Sequence, residues 1–291
     1  MGTPGAEIEI DEALVHALLT DQCPHLADLP VRIVANGWDN VITRVGDEWM
    51  ARLPRRAVAV PLVLHEQQWL PHLAAHLPLP VPVPVHCGTP GAGYPWPWTL
   101  TRWLDGSPAA THPPVDPAEA ADTLAAFVRA MHRPAPADAP DNPVRGVALR
   151  QRADAVEGRL AQLADVVDVD RVRATWDRLR RTPVWDGPPL WLHGDLHPAN
   201  MLTVDGRLAA VIDFGDLTAG DPATDLAVAW MLFGPAERDR FRVAIGTDDN
   251  TWRRAAAWAL SLALAYLTAD DTTSMPAVGR TTLAAVLAEF G

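Results

Sequence analysis

His193-Gly194-Asp195-Leu196-His197-Pro198-Ala199-Asn200, followed by Val211-Ile212-Asp213-Phe214-Gly215, decides how this chain is read. Asp195 is followed by Asn200 and then by Asp213, and apolar runs flank the loop: Leu190-Trp191-Leu192 ahead of it, Leu208 to Ile212 before the last Asp. Three oxygen-bearing side chains set between short strands suit one task. Asn200 and Asp213 hold a hard cation, and Asp195 accepts a proton from an alcohol. Phosphoryl transfer uses that set, because positioning and neutralisation of charge do most of its work. A lone Asp in a turn is ordinarily a cap; three such residues at this spacing, with Phe214-Gly215 attached, go beyond capping. A second reading stays open: His193, Asp195 and His197 alternate and suit the zinc site of a hydrolase. That reading leaves Pro198 and Asp213-Phe214-Gly215 unexplained and shows no fourth ligand.

Outward from this loop, the N-terminal part reads as meandering antiparallel strands at residues 31–34, 41–45 and 48–53 after a short helix at 11–19. A helix is expected over 58–77, with Leu62, Glu66, Trp69 and Leu73 on one face and a kink at Pro71. Residues 81–85 alternate with proline and allow only an edge strand or an extended segment. A further strand is expected over 94–104. Asp105-Gly106-Ser107-Pro108 breaks the pattern, so the chain is divided there into residues 1–104 and 105–291. Beyond the break the pattern is helical, at 116–132, 147–163, 169–181, 222–233, 235–245, 252–268 and 277–290. The Pro- and Asp-rich stretch 134–143 reads as a connector.

Arg52 lies on the third strand, and Glu66 sits on the apolar face of the next helix, where a carboxylate without a partner is costly. Pairing the two resolves both placements and aims a guanidinium at nucleotide phosphates. Asn36-Gly37-Trp38-Asp39-Asn40 is a candidate phosphate flap, with Asn40 at its end; an ordinary hairpin turn explains it nearly as well. By position, the backbone from Thr101 to Leu104, Arg102 and Leu104 included, could meet a purine edge. Gly220-Asp221-Pro222 through Asp225 reads as the capped start of a helix that braces the catalytic loop.

The 291 residues carry a net charge of −12, with 48% hydrophobic and 21% charged residues. They give a globular protein with room for two lobes. The acidic balance excludes a basic nucleic-acid footprint. No lysine occurs, so all 24 basic residues are arginine and any cation gripping a phosphate is Arg. Cys23 and Cys87 form no metal or disulfide motif, and the start of the chain has no basic region or apolar run. The longest apolar stretch, near Ala255 to Leu267, is too short for a bilayer, which needs about 20 residues. A cytoplasmic protein without membrane or nucleic-acid partners is expected.

Together, His193 through Asn200, Ile212-Asp213-Phe214-Gly215 and Gly220-Asp221-Pro222 through Asp225 resemble the aminoglycoside phosphotransferase family. Weaker support comes from Gly37 to Asn40, Ala51-Arg52-Leu53-Pro54-Arg55-Arg56 and Gly93 through Trp98. The resemblance implies an α+β, two-lobed protein-kinase-like fold, with a small N-terminal β-sheet lobe and a larger, mainly helical C-terminal lobe. It implies Mg²⁺, ATP or GTP as donor, and a hydroxyl of a small, antibiotic-like acceptor: an aminoglycoside, macrolide or nucleoside antibiotic. By motif Asp195 looks like the catalytic aspartate, Asn200 and Asp213 like the metal ligands, and Glu66 like the helix glutamate. The family commonly carries lysine where this chain has Arg52, and the Arg-Leu-Pro-Arg-Arg string looks closer to the macrolide phosphotransferase-like branch. The missing lysine also motivates an alternative, a nucleotide-binding pseudokinase without turnover. Asp138, Asp141, Asp154, Asp248, Asp249, Asp270 and Asp271 are positions where an acceptor amine could be met, although most read as solvated charges.

Overall fold

The computed structural model describes residues 4–269 and 273–291. Contacts divide them into two compact units. One runs up to Ala75 and resumes at Pro80–Asp105; the other takes His76–Leu79 and Gly106–Gly291.

The first unit opens with α1 (Glu12–Gln22), started by Asp11, whose side chain accepts from Leu14 N at 2.7 Å. Strands β1 (Val31–Asn36), β2 (Asn40–Val45) and β3 (Trp49–Pro54) follow as a meander. Helix α2 (Val60–Ala74) then leads to β4 (Pro84–Gly88) and β5 (Trp98–Arg102). The sheet is antiparallel in the order β1-β2-β3-β5-β4. Its core joins Val15, Leu18 and Leu19 of α1 to Val41, Val45, Ala51, Leu53, Trp98 and Leu100 of the sheet.

Several expected elements shift. The buried face of α2 is Val63, Glu66, Leu70 and Leu73 rather than one through Leu62 and Trp69. The helix runs unbroken through Pro71 and ends within a turn of it, at Ala74. The edge strand starts at Pro84, three residues late. The strand expected over 94–104 is confined to β5, because Pro95 and Pro97 cannot donate to a ladder and Tyr94 closes a separate bridge with Gly91.

In the second unit, β6 (Ser107–Pro108) is followed by α3 (Pro117–Met131), α4 (Ala153–Gln162) and α5 (Val169–Leu179). Asp116 and Asp168 cap α3 and α5. The helix expected over 147–163 begins as a 3-10 turn, Leu149–Arg152, and only then becomes α4. Strands β7 (Leu190–Leu192), β8 (Met201–Val204), β9 (Arg207–Val211) and β10 (Thr218–Gly220) frame the loop. β7 pairs with β10, and β8 pairs with β6 and β9, all antiparallel. The expected helix at 222–233 is two short pieces, α6 (Ala223–Leu226) and α7 (Val228–Leu232). Then come α8 (Pro235–Ile245), α9 (Asp249–Leu267) and α10 (Met275–Phe290). Helix α9 is buried along most of its length, with Trp258, Leu260 and Leu264 fully enclosed. Among the described residues no helix is long and apolar enough to cross a membrane.

Candidate active site

The loop after β7 is held by a single carboxylate. Asp225 on α6 accepts from His193 N at 2.8 Å and Gly194 N at 2.9 Å, and His132 Nε2 lies 3.2 Å from its Oδ2. Burial alone would push Asp225 up. The His132 hydrogen bond and charge, His193 and the Gly194 amide outweigh it and hold the carboxyl below its usual range. Gly194 sits at φ +83°, and a Cβ there would stand 2.1 Å from Asp216 O, so only glycine fits. His193 donates from Nε2 to Ile212 O at 3.0 Å and accepts from Asp195 N at Nδ1, 3.2 Å. Both ring nitrogens are therefore engaged with the backbone. Among the described residues no group of three His, Cys, Asp or Glu side chains is arranged to hold a metal ion. The zinc-hydrolase geometry is not formed.

Asn200 closes the 3-10 turn Pro198–Asn200 and donates from Nδ2 to Asp195 O at 3.0 Å. Its backbone carbonyl receives Ile212 N at 2.9 Å, and β8 pairs with β9, so Asp213 is carried to the same end of the hairpin as Asn200. Asp213 is one of three described non-glycine residues with positive φ, at φ 62° and ψ 69°. That left-handed turn, which Asp tolerates better than most residues, swings the chain away from β9 into the 3-10 turn Phe214–Asp216. With its amide nitrogen committed to Asp195, Asn200 retains Oδ1. That oxygen and the Asp213 carboxylate are the hard donors Mg²⁺ takes, so the residues fit the ion.

Asp195 is gripped from two sides. Arg145 Nη2 donates to Oδ1 at 2.6 Å, and His197 Nε2 lies 3.3 Å from Oδ2. Arg145 Nε also reaches Asp216 Oδ2 at 3.4 Å. Burial pushes Asp195 up, but Arg145, His197 and His193 overcome it and hold the carboxyl well below the usual carboxylate range. Asp216 goes the other way. Burial, Asp195 and Asp213 raise it against the pull of Arg145 and Asn142. The pair that shares Arg145 is thus split, with Asp195 the more firmly ionised.

Arg145 was not a sequence candidate; it falls between the connector read at 134–143 and the helix expected from 147. The structure anchors it tightly. Asn142 Oδ1 accepts from Val144 N and Arg145 N while its Nδ2 donates to Asp216 Oδ1 at 2.7 Å. Gly146 N donates to Thr224 Oγ1, and Asp221 N to Gly146 O at 3.0 Å. The Asp141-Asn142-Pro143 turn was the available signal. Tyr266, also missed, places its ring edge-on to His197 at 5.7 Å. Asp221, expected as the helix cap, does accept from Ala223 N, but Pro222 holds the cap position and Asp221 is bonded to Arg254 at 2.7 Å.

In the first unit, Arg52 and Glu66 form the expected ion pair, Nη1 to Oε2 at 2.5 Å, both side chains buried. With its amide turned to suit the guanidinium, Asn40 Oδ1 accepts from Arg52 Nε and Nη2 at 3.1 Å each. The Asn36–Asn40 turn is tied back by Arg55 Nη1 to Gly37 O and by Arg56 to Asp39. The Arg102 side chain is bonded to Glu48 and stacked over Trp49 at 3.9 Å, and its carbonyl accepts from Thr101 Oγ1. The Trp103 amide is engaged by Glu48 O, and Leu104 lies just past the strand. The acidic positions Asp138, Asp141, Asp154, Asp248 and Asp249 are exposed, with Asp248 capping α9 and Asp249 paired with Arg242. Asp270 and Asp271 lie outside the described residues.

An antiparallel N-terminal sheet with one buried Arg–Glu pair, followed by a helical unit carrying the Asp-Asn-Asp loop, is the architecture of the kinase-like fold. The chain belongs to the phosphotransferase enzyme family, whose profile matches residues 30–258. It is similar to an aminoglycoside 3'-phosphotransferase of Escherichia coli, 29% identical over 143 residues, 46% of this chain and 51% of that protein. The chain thus aligns with about half the length of that relative. The fold is shared with an aminoglycoside 2'-phosphotransferase-IIIa solved with GDP (TM-score 0.70, 21% identity, covering 97% of this chain and 100% of that one). It is shared too with a macrolide 2'-phosphotransferase from Brachybacterium faecium (TM-score 0.62, 22% identity, covering 95% and 97%).

Proposed function

We propose that this protein is a small-molecule O-phosphotransferase that moves the terminal phosphoryl group of a nucleoside triphosphate to a hydroxyl of an antibiotic-like acceptor. The observation that carries the reading is Asp195 held as a carboxylate beside Asn200, with Asp213 delivered by the same hairpin. Residues 1–104 supply nucleotide binding and residues 105–291 the catalytic loop and acceptor binding. Arg52, steadied by Glu66 and Asn40, contacts the nucleotide phosphates, and the backbone at Arg102 and Leu104 contacts the base. Asn200 and Asp213 hold Mg²⁺, which when bound neutralises the developing charge of the transferring phosphoryl group. The donor is ATP or GTP; the structural neighbour solved with GDP supports a nucleotide donor.

Asp195 orients the acceptor hydroxyl and takes its proton. Its depressed pKa makes it a weak base, which suits a loose transition state in which the proton leaves late and alignment of the attacking oxygen matters most. Arg145 and His197 fix the carboxylate's rotamer for that task, and each oxygen keeps a lone pair for the hydroxyl.

The test is direct. The purified chain with Mg²⁺ and labelled ATP or GTP is offered a panel of hydroxylated antibiotics, sugars and nucleosides. Phosphorylated product is expected, and Asp195→Ala should lower turnover by about 10²–10⁴-fold with nucleotide affinity nearly unchanged. Tight nucleotide binding with no product from any acceptor would instead mark a pseudokinase.

A further inference from the structure

The second unit gathers hydrogen-bond donors that have no partner among the described residues. Arg152, only 6% exposed, has no carboxylate partner among the described residues, and its Nε is buried without a hydrogen bond. Its guanidinium stands 5.7 Å from the Trp258 ring. Trp258 and Ser261, three residues apart, share one side of α9, and Tyr266, five residues further on, lies against His197, the partner of Asp195. Trp258 Nε1, Ser261 Oγ and the Tyr266 hydroxyl are all buried and unpartnered as well. Most buried polar groups in folded proteins are paired, so these four orphans, three on α9 and one on the residue packed against it, point to a ligand.

The charges lean the same way. Arg145 and Arg159 both repel Arg152, and burial together with that repulsion brings the Arg152 guanidinium down to about 10. Among the described residues Arg159 donates only to the Ser261 carbonyl, at 3.4 Å. Arg145 is committed to Asp195 and Asp216. Of these three guanidiniums only Arg145 has a carboxylate partner among the described residues. Arg and Trp can only donate, and Ser and Tyr hydroxyls can donate as well. Such a lining complements a group that only accepts and carries negative charge. It is ill suited to a polyamine.

We infer that Arg152, with Trp258, Ser261 and Tyr266, forms an oxyanion subsite that takes a carboxylate or phosphate group of the acceptor while its hydroxyl faces Asp195. This rests on the phosphotransferase reading and sharpens it: the acceptor is a hydroxylated acid or a phosphorylated alcohol, not a polycation. Arg fits either group through its planar fork.

The full chain, saturated with Mg-ADP to fill the nucleotide site, is followed by thermal unfolding while inorganic phosphate or gluconate is added. Arg152→Met, close in volume, and Arg152→Lys, which keeps the charge, are compared with wild type. The expected result is a rise in Tm with phosphate, gluconate or both in the wild type, reduced in Arg152→Lys and absent in Arg152→Met. Without added anion Arg152→Met should melt no lower than wild type, because it removes an unpaired buried charge. A response to phosphate alone would assign a phosphorylated acceptor, and one to gluconate alone a carboxylic acid. Equal protection in wild type and Arg152→Met, or protection of neither, would overturn the subsite.

In parallel, transfer from ATP and GTP is measured on matched acceptors: ribose against ribose 5-phosphate, glucose against gluconate, and a panel of aminoglycosides and macrolides. At least tenfold higher kcat/KM for an anionic member, lost in Arg152→Met, supports the inference. Efficient transfer to an aminoglycoside, unaffected by Arg152→Met, overturns it. Arg152-dependent protection with no transfer to any acceptor would sink the phosphotransferase reading and leave the anion site standing.

Discussion

At the scale of single residues, Arg145 governs the site. It bonds Asp195 directly, and the environment that opposes it is desolvation. Activity requires the Asp195 carboxylate, and its pKa in the folded protein is depressed. The acid limb of the kcat/KM profile should therefore lie below the ordinary Asp value of about 3.9, limited in practice by acid unfolding. In Arg145→Met, burial acts with one fewer opponent, so the limb should move up into the accessible range. A pH-rate series on both proteins checks this; an unmoved limb would assign the depression to His197. The three oxygen residues 195, 200 and 213 were legible in the sequence, because a short loop and one hairpin fix their spacing. Arg145 was not. It enters from 50 residues upstream, and no local pattern reveals which carboxylate a loop arginine will meet.

At the scale of elements, the hinge of the site is the bond between α6 and the loop after β7. The sequence suggested that the Gly220–Asp225 segment braces the loop, since a helix start with early acids has its own internal reason to form. The structure adds what the acids bind. Asp225 satisfies two buried backbone amides, and replacing it with Ala would strand both, at roughly 1–3 kcal/mol each. Urea unfolding of Asp225→Ala should show a loss of at least about 2 kcal/mol, and hydrogen exchange at His193 and Gly194 should accelerate. Because the Asp225 pKa is depressed on folding, its contribution is complete above the unfolded value of about 3.9 and is lost as pH falls toward the folded one. Asp225→Asn should therefore be less acid-sensitive than wild type, even though less stable at neutral pH. The shifts in element boundaries have equally local causes. Proline shortened β5 and delayed β4, whereas α2 kept Pro71 because that residue falls in its last turn.

At the scale of the whole molecule, a ligand that binds only the folded chain must stabilise it. Mg-nucleotide at a hundredfold excess over its Kd should add about 2.7 kcal/mol, measurable as a rise in Tm. Arg52→Ala should abolish most of that rise, whereas Arg52→Lys should retain part of it. An undiminished rise in Arg52→Ala would remove Arg52 from nucleotide binding. The family resemblance of its motifs implied the class of fold; by itself the sequence determined the N-terminal strand meander, most of the helices, the spacing of Asp195, Asn200 and Asp213, and the pairing of Arg52 with Glu66. Those features depend on periodicity, on turn chemistry and on the penalty for burying a lone charge, all of which act over one or two neighbouring elements. Only the tertiary structure decided that Arg145 clamps Asp195, that Asp225 carries the loop, and that Arg152 packs on α9 without a counter-ion among the described residues. Each of these joins segments far apart in the chain, where side-chain partners are chosen by packing and the sequence holds no register to reveal them.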